Sequence, residues 1–282
     1  MSIKSEESKI ILLGTGNPNP DPMRFGPSLA IIVKDCSYII DFGAGITRRI
    51  YEAYSNFGIR PLDSPQLTKG FLTHLHSDHT LGYPDLILTP WVMGRTKPLE
   101  IYGPQGTLDM TENILKSFDV DIKERIEGLE PANNLGYKVN VKEVKSGKIY
   151  EDEHINVEAF PVNHGSLISF GFRFITPDKN VVISGDTAPF ENCVDYYEGC
   201  NILIHEVYSS KMVDKLAPDW KRYHSSVHTS SYELADIASK VKPDLLILYH
   251  QLFWGASEEE LVAEVKKKYD GIVISGKDLQ FF

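Results

Sequence analysis

The chain has 282 residues, a formal charge of −10, 42% apolar and 24% charged residues, values that exclude a disordered, fibrous or strongly basic protein. The acidic balance sets nucleic acid below small molecules among the expected partners, because phosphate binding rests on lysine and arginine, although a local basic patch would overrule the net figure. Cys36, Cys193 and Cys200 form neither a CxxC pair nor a disulfide framework, which suits a reducing compartment.

In chain order, MSIKSEESKI carries no apolar core of signal-peptide length, and no later apolar stretch is long enough to span a membrane. A cytoplasmic protein without a membrane segment is therefore expected. About a dozen short apolar runs bounded by Gly, Pro, Asn and Asp then read as strands, from KIILLGTG, SLAIIV, SYIIDFG and FLTHLH through LEIYG, KVNVKEV, INVEAF and FGFRFI to NVVISGD, NILIHEV, DLLILYH and GIVISG. Helical periodicity interrupts them at Ile46, Ile50, Tyr54 and Phe57, again at Leu234, Ile237, Ala238 and Val241, and after Ser257. Ser230 with Glu233 and Ser257 with Glu260 are capping boxes that mark two helix starts. No linker or short repeat divides the chain, so residues 1–282 are read as one α/β domain with two packed sheets and outer helices.

Where the runs stop is more informative than how many there are. FLTHLHSDH, AFPVNHG, VVISGD, ILIHE and LLILYH each pass from an apolar run into His, Asp or Glu, so strand ends deliver polar side chains to one region. In FLTHLHSDH, alternate residues His74 and His76 share one strand face and can grip one ion. Asp78 and His79 follow on the turn and suit a second ion beside the first. Neutral imidazole and carboxylate are ligands for zinc, with manganese and iron as alternatives. Four ligands cannot complete two coordination shells, and His164, Asp186 and His250 are distant groups of the right type. Trp91, Phe253 and Trp254 follow strand ends and are expected to line a pocket where an aryl group stacks, with Arg95 placed to meet an anionic ester.

THLHSDH, the isolated His164, SGD at Asp186 and a last strand ending at His250 together resemble the metallo-β-lactamase superfamily, over essentially the whole chain. The resemblance implies a four-layer αβ/βα sandwich. It also implies that His74, His76 and His164 hold one metal, that Asp78, His79 and His250 hold the other, and that Asp186 bridges them. The opening GTGNPNP with Arg24 and GPS, the long THLHSDHTLGYPDL, HEV at 205–207 and SVHTS at 226–230 are similar to the ribonuclease Z and zinc-dependent arylsulfatase branch. There Glu206 and His228 match a pair that assists the leaving group.

Bacterial ribonuclease Z typically inserts a long tRNA-clamping arm between the residues matching His164 and Asp186; here the two are only 186 − 164 = 22 positions apart, and the stretch between them reads as a hairpin with a Pro-Asp turn. The expectation is therefore a dinuclear hydrolase of small sulfate or phosphate esters, arylsulfatase-like, with two zinc ions, or manganese or iron. In it Asp78 ligates and orients the nucleophile, while His228, oriented by Glu206, serves the departing oxygen. A ribonuclease Z-like endonuclease processing tRNA 3′ ends, or a phosphodiesterase, is the alternative. A non-catalytic binding or regulatory member of the fold is the alternative from another class. A small ester is the expected partner, and a homodimer is compatible with the sequence.

Overall fold

In a computed structural model the structure describes residues 7–282, so the first six residues of MSIKSEESKI, on which the absence of a signal peptide partly rests, lie outside the described residues. Among the described residues no helix is long and apolar enough to cross a membrane. The chain divides into two compact units. One comprises the stretch ending at Gly14, Pro18–Val144 and Asp278–Phe282; the other comprises Thr15–Asn17 and Lys145–Lys277.

In the first unit β1 (Lys9–Gly14), β2 (Ser28–Val33) and β3 (Cys36–Ile40) form an antiparallel meander. Helix α1 (Ile46–Phe57) then crosses over to β4 (Lys69–Phe71). Helices α2 (Ser77–Thr80) and α3 (Tyr83–Val92) lead to β5 (Leu99–Gly103), and α4 (Thr107–Ser117) and α5 (Asp119–Glu127) lead to β6 (Val139–Glu143). These last pairings, β3 with β4, β4 with β5 and β5 with β6, are parallel, as helical crossovers require.

The second unit repeats the plan. Strands β7 (Gly147–Glu151), β8 (Asn156–Pro161), β9 (Phe170–Ile175) and β10 (Asn180–Ile183) form an antiparallel meander. Then α6 (Cys193–Tyr197), β11 (Ile202–Tyr208), α7 (Pro218–Val227), α8 (Ser231–Val241), β12 (Leu245–Leu252), α9 (Glu258–Val265) and β13 (Val273–Ser275) build three parallel pairings. The last strand, β14 (Gln280–Phe281), pairs antiparallel with β1, so each unit is a seven-stranded mixed sheet with helices against it.

Strands buried on both faces read as continuous apolar runs, and SLAIIV of β2 is buried at every position. Helix α1 buries Ile46, Ile50 and Ala53 against the first sheet and stops at Gly58, whose positive φ lets its N–H reach the Tyr54 carbonyl. Phe57, expected on the buried face, is 52% exposed and packs edge-on against Phe281. Both expected capping boxes form, at Ser230 with Glu233 and at Ser257 with Glu260. The segment between His164 and Asp186 is the expected hairpin, with Asn180 opposite Ile175 and the turn closed from the Thr176 N–H to the Lys179 carbonyl.

Two expected pocket residues belong instead to the core of the first unit. Trp91 is 1% exposed, packs at a tilt against the Tyr137 ring and donates its indole N–H to the Asn133 carbonyl. Arg95 is fully buried and donates to the carbonyls of Leu67, Leu86, Ile87 and Gly136. Its planar fork ties α3 to two loops, and no substrate anion is needed to explain it.

Removing such a group strands several buried carbonyls at once. Arg95→Met is expected to lower unfolding free energy by about 3 kcal/mol or more in urea titration, and Arg95→Lys to recover only part of it. A midpoint unchanged in Arg95→Met would mean that those carbonyls find other partners.

Candidate metal centre and proton-transfer pair

In the first unit β4 stops at Phe71, so His74 and His76 do not lie on a strand as the alternation predicted; they sit in the loop that follows it. The two rings are nevertheless brought together, with His74 Nε2 3.1 Å from His76 Nδ1. Asp78 and His79 lie in the single turn of α2, with His79 Nε2 3.5 Å from Asp78 Oδ2. His79 Nδ1 is 2.8 Å from Asp41 Oδ2, and Asp41 also accepts the backbone N–H of Thr73 at 2.8 Å. A carboxylate only accepts, so Nδ1 of His79 carries the proton and Nε2 presents its lone pair on the Asp78 side.

Asp41 was missed as a functional residue. It follows β3 in SYIID with φ 56°, and its signal was the one used elsewhere, an apolar run ending in a carboxylate. The loop that carries it is packed backbone to backbone: a Cβ on Gly26, the glycine of GPS, would lie 2.4 Å from the Ala44 backbone nitrogen, and one on Gly43 would lie 2.2 Å from the Gly26 carbonyl carbon, so both positions need glycine.

In the second unit His164 follows β8, and its Nδ1 donates to the Val227 carbonyl at 2.8 Å, which leaves Nε2 as the lone-pair nitrogen. Asp186 follows β10 after a turn at Gly185, φ 61°. His250 does not end its strand as expected. It lies inside β12 as the extra residue of a β-bulge, since Glu206 pairs with Tyr249 and Val207 with Gln251. Its φ of 45° re-aims the ring, and Nε2 comes 3.4 Å from Asp186 Oδ2. Ligand atoms of Asp186, His228 and His250 lie within 4.8 Å of one another, as do those of His164 and Asp186.

Glu206 is fully buried on β11. Its Oε1 accepts the backbone N–H groups of Thr187 at 3.1 Å and Thr229 at 2.9 Å and lies 3.3 Å from His228 Nδ1. Among the described residues its Oε2 has no hydrogen-bond partner. Burial and the Asp186 carboxylate push the Glu206 carboxyl up from its ordinary value; His250 and the two N–H groups oppose this. His205, the first residue of HEV, is a structural histidine. Its Nδ1 donates to the Glu206 carbonyl at 2.6 Å, and burial pushes the ring down to about 4, so it stays neutral.

The donor set is imidazole nitrogen and carboxylate oxygen with no thiolate, since Cys193 and Cys200 belong to the second unit's core. That chemistry fits zinc, manganese or iron. Two imidazole nitrogens facing each other at 3.1 Å on His74 and His76, and two buried rings turned toward the Asp186 carboxylate, suit a cation in each unit's set.

The model of the Beta-lactamase superfamily domain matches residues 48–251, a span that includes every candidate residue from His74 to His250. Ribonuclease Z of Mycolicibacterium gilvum is 30% identical over 277 residues, covering 96% of this chain and 94% of the relative. Among solved structures, the metallo-beta-lactamase fold protein YhfI from Bacillus subtilis superposes with a TM-score of 0.75 at 16% identity, over 98% of both chains. Human tRNase Z, short form, superposes with a TM-score of 0.72 at 22% identity, over 97% of this chain and 98% of that one. These two likenesses carry the fold alone, which is the one the sequence resemblance implied. With the family model matching well over half of its length and a relative aligned almost end to end, the chain belongs to the metallo-β-lactamase superfamily, in the branch that contains ribonuclease Z.

Proposed function

We propose that this protein is a dinuclear metal-dependent phosphodiesterase of the ribonuclease Z type, cutting precursor tRNA at its 3′ side. The sulfate-ester reading, placed first on the sequence alone, finds no support among the relatives, whereas ribonuclease Z does. The hairpin in place of an arm bears on how a tRNA would be gripped, and the alignment to the relative bearing that name still covers 94% of that relative's length.

The observation that carries the proposal is the Glu206 and His228 pair at 3.3 Å. A nitrophenolate or similar aryl oxide departs without help, but a ribose oxygen is a poor leaving group and needs a proton in the transition state. A buried carboxylate fixed by two backbone N–H groups and facing a histidine is machinery for the second case. As the imidazolium, His228 would give its Nε2 proton to the departing oxygen and be left neutral with the proton on Nδ1, the side that faces Glu206 Oε1. Asp78 orients the attacking water.

The residues proposed to hold metal are His74, His76 and His164 for one ion and Asp78, His79 and His250 for the other, with Asp186 shared. Bound there, the ions supply Lewis acidity and make water available as a nucleophile near neutral pH. Zinc leads the candidates.

Elemental analysis of protein purified without chelator should find close to two metal ions per chain, and Asp186→Ala should lose both. One tightly held ion, unchanged in that variant, would refute the dinuclear reading. Asp41→Asn should weaken zinc affinity by roughly 10- to 100-fold while leaving the fold intact, because it releases the His79 ring from its tautomer. An unaltered affinity would make Asp41 purely structural.

Precursor tRNA and nitrophenyl esters of phosphate and sulfate separate the substrates. His228→Ala should slow precursor cleavage by a factor on the order of 10² or more and slow a nitrophenyl phosphodiester much less, with Glu206→Gln following more weakly. Equal losses on both substrates, with metal content intact, would assign His228 to binding. Turnover of nitrophenyl sulfate without tRNA cleavage would restore the sulfate reading.

A further inference from the structure

Between Glu206 and His228 the chain makes an excursion that the proposed chemistry does not use. Residues 209–227 read SSKMVDKLAPDWKRYHSSV, with four basic residues against two acidic ones in a chain whose total is −10. Lys211, Lys215, Lys221 and Arg222 are all exposed. Lys221 is paired with Asp214 at 2.6 Å, while Arg222 reaches Asp219 only at 3.6 Å and is 82% exposed.

On α7 the large aromatics face outward. Trp220 is 60% exposed and Tyr223 41%, unusual for side chains of that size. They also begin a series of stacked rings. Trp220 lies over His224 with centroids 5.9 Å apart and planes 27° apart. His224 lies over His228 at 5.5 Å and 29°, and His228 over His250 at 5.8 Å and 20°. Trp254 closes one side against His224 at 4.7 Å. Trp220 and His224, four residues apart, share one face of α7, and His228, in extended backbone just past the helix end, continues the series by stacking on His224, so the row runs from solvent to the proton-transfer pair.

We infer that the exposed start of this row, Trp220 with Tyr223 and the flanking Arg222, is a stacking platform for the unpaired nucleotides of an RNA next to the bond that is cut. The inference rests on the ribonuclease reading above and names how such a strand would be held. An exposed indole with cations beside it is the pairing that binds single strands: every base has a face to stack, and the cations meet the phosphates. A duplex offers its bases no such access, so the occupant is single-stranded RNA. The local excess of positive charge supplies the complementarity that the chain as a whole lacks.

The test is binding of a fluorescently labelled single-stranded RNA hexamer to the metal-free full chain, followed by anisotropy, so that no cleavage intervenes. Trp220→Ala should weaken binding about tenfold, and Trp220→Phe, which keeps a ring, should stay within about threefold of wild type. Arg222→Gln should flatten the dependence of affinity on salt.

Equal affinity of wild type and Trp220→Ala, or no binding by wild type, overturns the platform. So does loss of binding that tracks a change from dimer to monomer in sedimentation, which would make this face a contact between copies of the chain. Cleavage of precursor tRNA by wild type is scored separately. Its absence refutes the ribonuclease reading, whereas a tRNA-cleaving enzyme indifferent to Trp220 refutes only the platform.

Discussion

A histidine offers its lone pair at a chosen nitrogen only when the proton on the other nitrogen is held elsewhere, and this constraint organises the region around His79 and His164. In the first unit Asp41 holds Nδ1 of His79. In the second the Val227 carbonyl holds Nδ1 of His164. The next residue, His228, faces Glu206, and the residue after that, Thr229, donates its N–H to the same Glu206 oxygen. Three consecutive residues therefore serve three purposes: a carbonyl that fixes a ligand, a side chain that faces a carboxylate, and an amide that fixes that carboxylate. Shifting the register of the SVHTS segment by one residue would disturb all three together; its residues Val227 to Ser230 are buried and docked by a bridge between Tyr208 and Ser230.

The sheets impose a second condition. A regular parallel pair of strands places neighbouring side chains alternately on opposite faces, yet Glu206 on β11 and His250 on β12 both have to reach the neighbourhood of Asp186. The bulge between these strands resolves it by inserting His250 as an unmatched residue at positive φ, a conformation costly for a bulky side chain. The strain is held by well-paired strand on both sides, from Ile202 opposite Leu245 to Tyr208 opposite Leu252. Strain concentrated at one ring, within an otherwise regular strand, is a sign that the position of that ring matters more than the smoothness of the ladder.

What could be read from the sequence followed from local physics. Capping boxes and apolar periodicity located α1, α8 and α9, because those signals act within a few residues. HxHxDH was legible because so many protonatable groups in so short a space have few uses besides a cation. Helices α4 and α5 went unread: α4 packs Met110, Ile114 and Leu115 only partly buried against the core, and α5 fully buries only Ile122, so their apolar positions stand out weakly from a polar, charged surround. Arg95 and Trp91 were misplaced because nearness in sequence to a metal motif says nothing of the direction a side chain takes once α3 has formed. Asp41 lay hidden for a related reason, since its partner His79 is 38 residues away.

The missing arm shows how a departure from a family pattern should be weighed. An absent insertion removes one means of gripping a substrate but leaves the chemistry at the bond untouched, so it speaks to affinity and not to which bond is broken. The leaving group speaks to the bond. On the proposed role of His228, a proton donor backed by a buried carboxylate would serve an oxygen that cannot depart as a stable anion, and that condition would separate ribose esters from aryl esters more directly than any count of residues between His164 and Asp186. Net charge is likewise a poor guide where charge is unevenly spread: a chain of −10 still presents a basic, aromatic stretch immediately before His228. On these proposals, strand grip and the leaving-group proton would come from one stretch of twenty-odd residues, from Glu206 near the end of β11 to the start of α8, without an added domain.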